Sequence, residues 1–482
     1  MRQRFVTDAN KKWWTLAAVS VGLFMIMLDN TVVNVALPSM AQDLGVGLSG
    51  LEWIVTGYAL TFASLMLTGG KLADLLGRRL IFVTGLVIFT GSSLACGLAE
   101  SGDFLIGARV VQGAGAALMN PATLSIIAAT FPPRQRGMAI GIWAGVSALA
   151  LAIGPLVGGL LTDHLHWSWI FFVNVPVGIV AIVVSFVLIR ESKDESVEQR
   201  LDLPGLLTSG IGLFALTYGL IEANTYGWAS GRIVGAFIVA AVMLVAFVLL
   251  ETHQRLPMLD LSLFRNGTFA GANIAVLLVA LAMFGVFFFV SLYMQGILGY
   301  SAVQTGAAFL PMTVLIILVA PIAGRTSDRV GSRWLMTTGM ILVAVQLLYF
   351  SRLDQNAAYL DLLPAFIVGG MGMALVMTPS AAAAARALPV DKSGVGSAVL
   401  NAFRQVGGSM GIALMGAIMA HELGGVSGAE VFRDPQRFVD GFSTTLTVAA
   451  VIAFAGAVVS AALVRPHERD VGEDEALAEL AG

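Results

Sequence analysis

The sequence predicts an all-α membrane protein with fourteen spanning helices, and three observations carry that prediction. Of its 482 residues 57% are hydrophobic and only 12% charged, with a mean hydropathy of +0.86, outside the range of soluble domains. The chain also breaks into fourteen apolar runs, each near the roughly 20 residues needed to cross about 30 Å of hydrocarbon. Finally, the charged string GKLADLLGRR at Gly70–Arg79 recurs as GRTSDRVGSR at Gly324–Arg333, aligning Asp74 with Asp328, Gly77 with Gly331 and Arg79 with Arg333. Each copy lies between two long apolar runs, so the chain is built from two related halves.

Taken in order, the predicted spans are 13–37, 52–70, 80–99, 104–127, 137–161, 169–189, 204–222, 233–251, 268–292, 304–323, 334–350, 361–383, 394–419 and 442–464. The first is too long for a signal peptide and lacks a small-residue cleavage pattern, so it is expected to remain in the mature chain. Loop charge tests the count independently. With a cytoplasmic N-terminus, the inner segments hold 21 of the 27 Lys and Arg, including Lys11, Lys71, Arg134, Arg190, Arg265, Arg333 and Arg386. The outer loops hold only Arg232, Arg352, Arg433 and Arg437, and the last two, Arg109 and Arg404, fall within spans. This bias predicts both termini inside, and an odd number of spans would scramble it.

The two hinges join spans 2–3 and 10–11, so two extra helices must separate two six-helix halves. RGMAIG at Arg136, echoed by SGVGSA at Ser393, supports the same displacement. The predicted organisation is an N-terminal six-helix bundle (1–190), a linker (191–203), inserted helices 7 and 8 (204–251), a second linker (252–267), a C-terminal six-helix bundle (268–464) and a tail (465–482). The first linker mixes both charge signs and reads as a solvated joint.

A net charge of -3 and dispersed basic residues give no reason to expect a nucleic-acid partner. The single cysteine, Cys96, excludes an intramolecular disulfide and a multi-cysteine metal site. There is no P-loop pattern to supply ATP energy, and Gly113 with Gly115 read as helix packing rather than a phosphate cradle. No cofactor or metal is expected, nor an enzymatic reaction, since no catalytic cluster is visible.

Ionisable groups inside spans are costly and therefore informative. Asp29 lies eight residues before Leu37 and Arg109 six after Asp103, roughly 12 Å and 9 Å from the outer surface at 1.5 Å per residue. At compatible heights they can pair, leaving a carboxyl whose proton affinity depends on whether the guanidinium is in contact. Two readings fit: a proton site at Asp29 modulated by Arg109, or a static buried ion pair holding two helices. Glu222 and Glu52 read as interfacial groups. Arg404 either lines the inner vestibule or reaches toward headgroups.

Five strings then carry a family resemblance. LDNTVVNVALP (Leu28–Pro38), GKLADLLGRRL (Gly70–Leu80), LIGARVVQGAGAA (Leu105–Ala117), GVSALALAIGPLVGG (Gly145–Gly159) and WSWIFFVNVPVG (Trp167–Gly178) occur in that order, and together the chain resembles the 14-helix drug:proton antiporter branch of the major facilitator superfamily. The resemblance implies a major facilitator fold and export of amphipathic drugs, dyes or biocides against proton entry by alternating access. A dedicated exporter of one antibiotic or metabolite is the alternative. It implies a monomer in a bacterial inner membrane whose partners are protons, a small amphipathic molecule and the bilayer. Asp74 would belong to a conformational switch with Arg78, Arg79 and Asp328, although the arginines also serve as topology anchors. Gly154 and Pro155 give a tight, bendable crossing, which the resemblance extends to a seal against leak. Cavity-lining helices would be 1, 2, 4, 5, 9, 10, 12 and 13, making Met25, Asn34, Tyr58, Asn120, Asn273, Phe284, Phe288, Met373 and Met377 substrate-lining candidates. Aromatic and methionine walls can repack around varied apolar compounds.

Overall fold

The computed structural model describes residues 10–193, 201–254, 257–388, 393–424 and 434–465. The middle of the first linker and the tail beyond Arg465 lie outside them, as do Arg255, Lys392 and Arg433. Among the described residues there is no strand. Sixteen α-helices follow one another: α1 Lys11–Leu44, α2 Leu48–Leu76, α3 Arg78–Gly97, α4 Gly102–Thr130, α5 Pro133–His164, α6 Trp169–Phe172, α7 Asn174–Leu188, α8 Leu203–Tyr226, α9 Gly231–His253, α10 Gly267–Gly296, α11 Ala302–Ala308, α12 Leu310–Val330, α13 Arg333–Phe350, α14 Tyr359–Arg386, α15 Ser393–Glu422 and α16 Pro435–Leu463.

Among the described residues thirteen spans are long and apolar enough to cross a membrane, counting α6 with α7 and α11 with α12 as one each. The fourteenth, α15, is 30 residues long and is diluted by Asn401, Arg404 and Gln405. An α-helix satisfies its own backbone hydrogen bonds, which is why a chain of this composition adopts almost nothing else. The protein is a multi-pass membrane protein.

Several helices outrun the apolar runs that predicted them. α1 continues through Pro38 to Leu44, so Asp29 lies about 22 Å from that end rather than 12 Å. Membrane helices absorb an internal proline that would end a soluble one. Span 10 is broken where α11 gives way to α12 just before Pro311.

Two compact units emerge. Unit 1 comprises residues up to Gly210 with Ser301–Ala307, and unit 2 comprises Ile211–Tyr300 with everything from Ala308 onward. In unit 1, α4 is laid between α2 and α3 by its glycines. A Cβ on Gly113 would meet the Tyr58 carbonyl and stand 3.2 Å from the Phe62 nitrogen, and one on Gly115 would stand 2.6 Å from the Phe89 nitrogen. The core there is built from Tyr58, Phe62, Phe82, Phe89, Met119 and their neighbours.

In unit 2 the rings of Tyr293, Phe442 and Phe438 stack in sequence, while Phe309, Phe366 and Phe350 meet edge to face. The inserted pair packs α8 on α9 through Gly212 and Gly219, whose hydrogens face Leu244 and Phe237. The Asn224 amide donates to the Ala417 carbonyl of α15 at 2.8 Å. The opposite face of α9 bares Val234, Ile238, Val242, Val245 and Leu249, as a lipid-facing surface does.

Candidate functional site

The close approach of α4 to α2 and α1 gathers a buried polar cluster. Arg109 and Asp29 are 1% and 0% exposed, yet both are fully engaged. Nη1 of Arg109 donates to Asp29 Oδ2 at 2.5 Å and to Gln112 Oε1 at 2.6 Å. Its Nε donates to the Ile54 carbonyl of α2 at 3.0 Å. Gln112 closes the ring, its amide donating to Asp29 Oδ1 at 3.0 Å and to Ser93 Oγ at 2.8 Å. The guanidinium lies over the Tyr58 ring at 4.2 Å and near Phe171 at 5.6 Å. A buried charge survives only when paired and hydrogen-bonded, and both conditions are met.

The sequence reading named Asp29 and Arg109 but missed Gln112, Ser93 and the Ile54 carbonyl. One signal was available: Gln112 stands three residues after Arg109, on the same face of α4. Cys96 is buried and donates weakly to Gln112 Oε1 at 3.7 Å. Of the lining candidates, Met25, Asn34, Tyr58, Asn120, Asn273 and Phe288 are buried, while Phe284, Met373 and Met377 keep some accessibility. Tyr58 alone among them joins the cluster. Glu52, near the start of α2, is buried within the protein.

The cation–π contact predicts a measurable loss. Tyr58→Leu keeps the apolar bulk but removes the ring face, and thermal unfolding of the purified protein should show about 1–2 kcal/mol of destabilisation. Tyr58→Phe should behave as wild type in the same measurement.

The first hinge closes on itself. Asp74 accepts from Arg78 Nε at 3.0 Å and Nη2 at 2.9 Å, a pair spaced i,i+4. Arg79 turns elsewhere, its guanidinium 3.7 Å from Glu191, whose carboxylate also receives the Arg79 and Leu80 amides at 3.0 and 3.1 Å. A residue of the linker thus caps the N-terminus of α3, where exposed N–H groups attract an anion. In the second hinge Asp328 pairs with Arg386 at the end of α14 at 3.1 Å, and Arg386 also donates to Ser327 and Ser332. The two copies share a sequence pattern but not a set of partners.

On α5 the small residues are filled by neighbours within unit 1. A Cβ on Gly154 would collide with the Thr31 hydroxyl, one on Gly158 would stand 2.7 Å from the Val32 carbonyl, and one on Gly159 would collide with the Ala302 carbonyl. The carbonyl of Pro155 occupies the space beside Gly306. Asp163, which the sequence reading did not single out, accepts the Ala302 and Val303 amides at 3.1 and 2.8 Å.

Residues 19–412 and 272–480 match the model of the Major Facilitator Superfamily. The chain belongs to that superfamily. Among relatives of this major facilitator protein, the tetracenomycin C resistance and export protein of Streptomyces glaucescens is 36% identical over 86% of this chain and 77% of its own length. The puromycin resistance protein pur8 of Streptomyces alboniger is 37% identical over 93% and 89%, and the multidrug resistance protein Stp of Mycobacterium tuberculosis is 35% identical over 84% and 75%. The fold is also that of a solved bacterial homologue of the human lysosomal transporter Spinster, with a TM-score of 0.66 at 16% identity, covering 95% of this chain and 98% of that one.

Proposed function

We propose that this protein is a proton-coupled antiporter that exports amphipathic drugs, dyes or biocides across a bacterial plasma membrane, with both termini cytoplasmic. The observation that carries the reading is the Asp29–Arg109 pair, buried in a spanning helix bundle and closed by Gln112. The resistance and export relatives supply the direction and kind of cargo.

Asp29 is the proton acceptor and Arg109 its modulator. While the guanidinium holds Asp29 Oδ2, that oxygen has no room for a proton. When the helices part, protonation neutralises the carboxyl and leaves Arg109 on the Ile54 carbonyl, Gln112 and the Tyr58 ring. The acid thus alternates between paired and protonated, which exchange against a proton gradient requires. Asp74, Arg78, Arg79 and Asp328 act as conformational contacts, and Gly154 with Pro155 shapes the α5 crossing that limits leak. Protons and cargo are moved rather than chemically transformed, so no catalytic residue is assigned.

A dedicated exporter of one antibiotic is the second reading, favoured by relatives described as resistance proteins for a single compound. Expression in a bacterial strain stripped of its own efflux pumps, challenged with a panel of dyes, biocides and antibiotics, separates the two. Protection against several unrelated compounds, lost when an uncoupler collapses the proton gradient, is the expected outcome. Protection against one compound favours the dedicated exporter, and protection against none overturns both.

A further inference from the structure

Among the described residues, three charged side chains lie well away from the ends of their helices: Asp29, Arg109 and Arg404. The first two neutralise each other. Arg404 stands eleven residues past Ser393 in α15, about 16 Å into the helix, too deep for the end-of-helix snorkelling that relieves most membrane arginines. Its Nε has no hydrogen-bond partner, and the long helices of unit 2 bring carboxylates only near their ends. Its Nε is buried, yet the side chain as a whole keeps partial accessibility. A guanidinium so placed can be met by a ligand from its accessible side.

Two further orphans lie at the same level. Gln405 is 2% exposed and its Nε2 has no partner. On α10, Asn273 is fully buried; its amide donates to the Phe269 carbonyl at 2.8 Å, while its Oδ1 has no partner. The register of α10 and α15 sets their heights. A Cβ on Gly407 would meet Leu277 and one on Gly411 would meet Leu281, so Arg404 is level with Ile274, next to Asn273. Arg404 lies near the face of α15 turned toward α10, so its donor fork and the free acceptor of Asn273 share one depth, whereas Gln405, the next residue, projects about 100° further around the helix. Leaving such groups unsatisfied in the interior is costly, and an uncompensated charge more so. A guanidinium is also the side chain best shaped to take an oxyanion through two parallel hydrogen bonds.

We propose that Arg404, with Asn273 at its level, seats an oxyanion of the exported compound, so that the carrier accepts amphipathic molecules bearing a carboxylate or phenolate. This deepens the export reading and rests on it. The acidic group supplies the charge Arg404 lacks, and Asn273 Oδ1 takes a neighbouring hydroxyl of the cargo. The cargo then needs an acidic end in unit 2 instead of the cationic character that a site at Asp29 alone would select.

The test uses the purified full-length protein in phosphatidylcholine nanodiscs and three fluorescent probes with one ring system: anthracene-9-carboxylate, its methyl ester and 9-(aminomethyl)anthracene. The carboxylate should bind wild type at least tenfold tighter than the ester, and Arg404→Gln should remove that preference without weakening the amine. Arg404→Lys should restore part of it, because a point charge replaces a fork. Equal loss of all three probes in Arg404→Gln, with restoration by Lys of folding but not of the preference, makes the arginine structural and overturns the proposal. Equal binding of carboxylate and ester by wild type overturns it as well, as does displacement of the carboxylate by phosphatidylglycerol at comparable concentration, which assigns the seat to a lipid headgroup. Tight binding of the amine alone would sink the oxyanion seat while leaving export intact, whereas failure of the resistance panel would sink export itself.

Discussion

Asp29→Asn should abolish substrate-driven proton movement in inverted vesicles while leaving a protein that can still be purified. The asparagine cannot take up and release a proton at working pH, but its one carbonyl oxygen still accepts from Arg109 or Gln112, which hold separate oxygens of Asp29, while its amide nitrogen, a donor, faces the other. Arg109 also keeps the Ile54 carbonyl, Gln112 Oε1 and the Tyr58 ring. The converse substitution is harsher. Arg109→Ala strands a fully buried carboxylate with the Gln112 amide as its remaining partner, and breaking a buried pair from one side costs about 3–5 kcal/mol. Folded yield and thermal unfolding should therefore rank wild type first, Asp29→Asn next and Arg109→Ala last. The double variant Asp29→Asn with Arg109→Gln separates structure from coupling, because replacing both partners removes the stranded charge. It should recover folded yield above Arg109→Ala and still move no protons. Proton movement equal to wild type in that double variant would reduce the pair to a brace between α1 and α4.

The helices were legible because crossing hydrocarbon demands long apolar runs, and the pair because a buried charge is too costly to be incidental. What escaped was neutral or remote. Gln112 and Ser93 look like ordinary polar residues of a spanning helix, and their roles appear only once α4 is laid between α2 and α3. Glu191 and Asp163 were invisible for a different reason: each grips backbone amides more than a hundred residues away, and a backbone partner leaves no mark in sequence. The end of α1 was misplaced because Pro38 reads as a stop in water but not in a membrane helix. The repeated hinge suggested equivalent contacts in both copies. The structure instead pairs Asp74 with Arg78 inside the hinge and Asp328 with Arg386 of another helix. Pattern is inherited through the repeat, whereas partners depend on what each half packs nearby.

Gly158→Leu should eliminate export, and more completely than the same change at most other glycines. Its hydrogen faces backbone: a Cβ would stand 2.7 Å from the Val32 carbonyl and 3.2 Å from Val32 Cα, and neither atom can rotate aside. Overpacking of this kind typically costs about 1–3 kcal/mol even for modest additions, and the strain falls on α1. Val32 is three residues beyond Asp29, nearly one turn away on the same helix. Pushing α1 off α5 there draws Asp29 from an arginine held at 2.5 Å, so the variant should lose proton coupling along with export. Gly154→Ala should be milder, because the atom it meets is the Thr31 hydroxyl, which can turn away from its 3.2 Å bond to the Leu28 carbonyl. Gly212→Ala supplies the control: it meets the Leu244 side chain at 2.8 Å in the inserted pair, where a rotamer change relieves the contact, and resistance should survive. If Gly158→Leu protected cells as well as wild type, a tight α1–α5 crossing would not be what holds Asp29 in place, and the pair would have to be positioned by α4 alone.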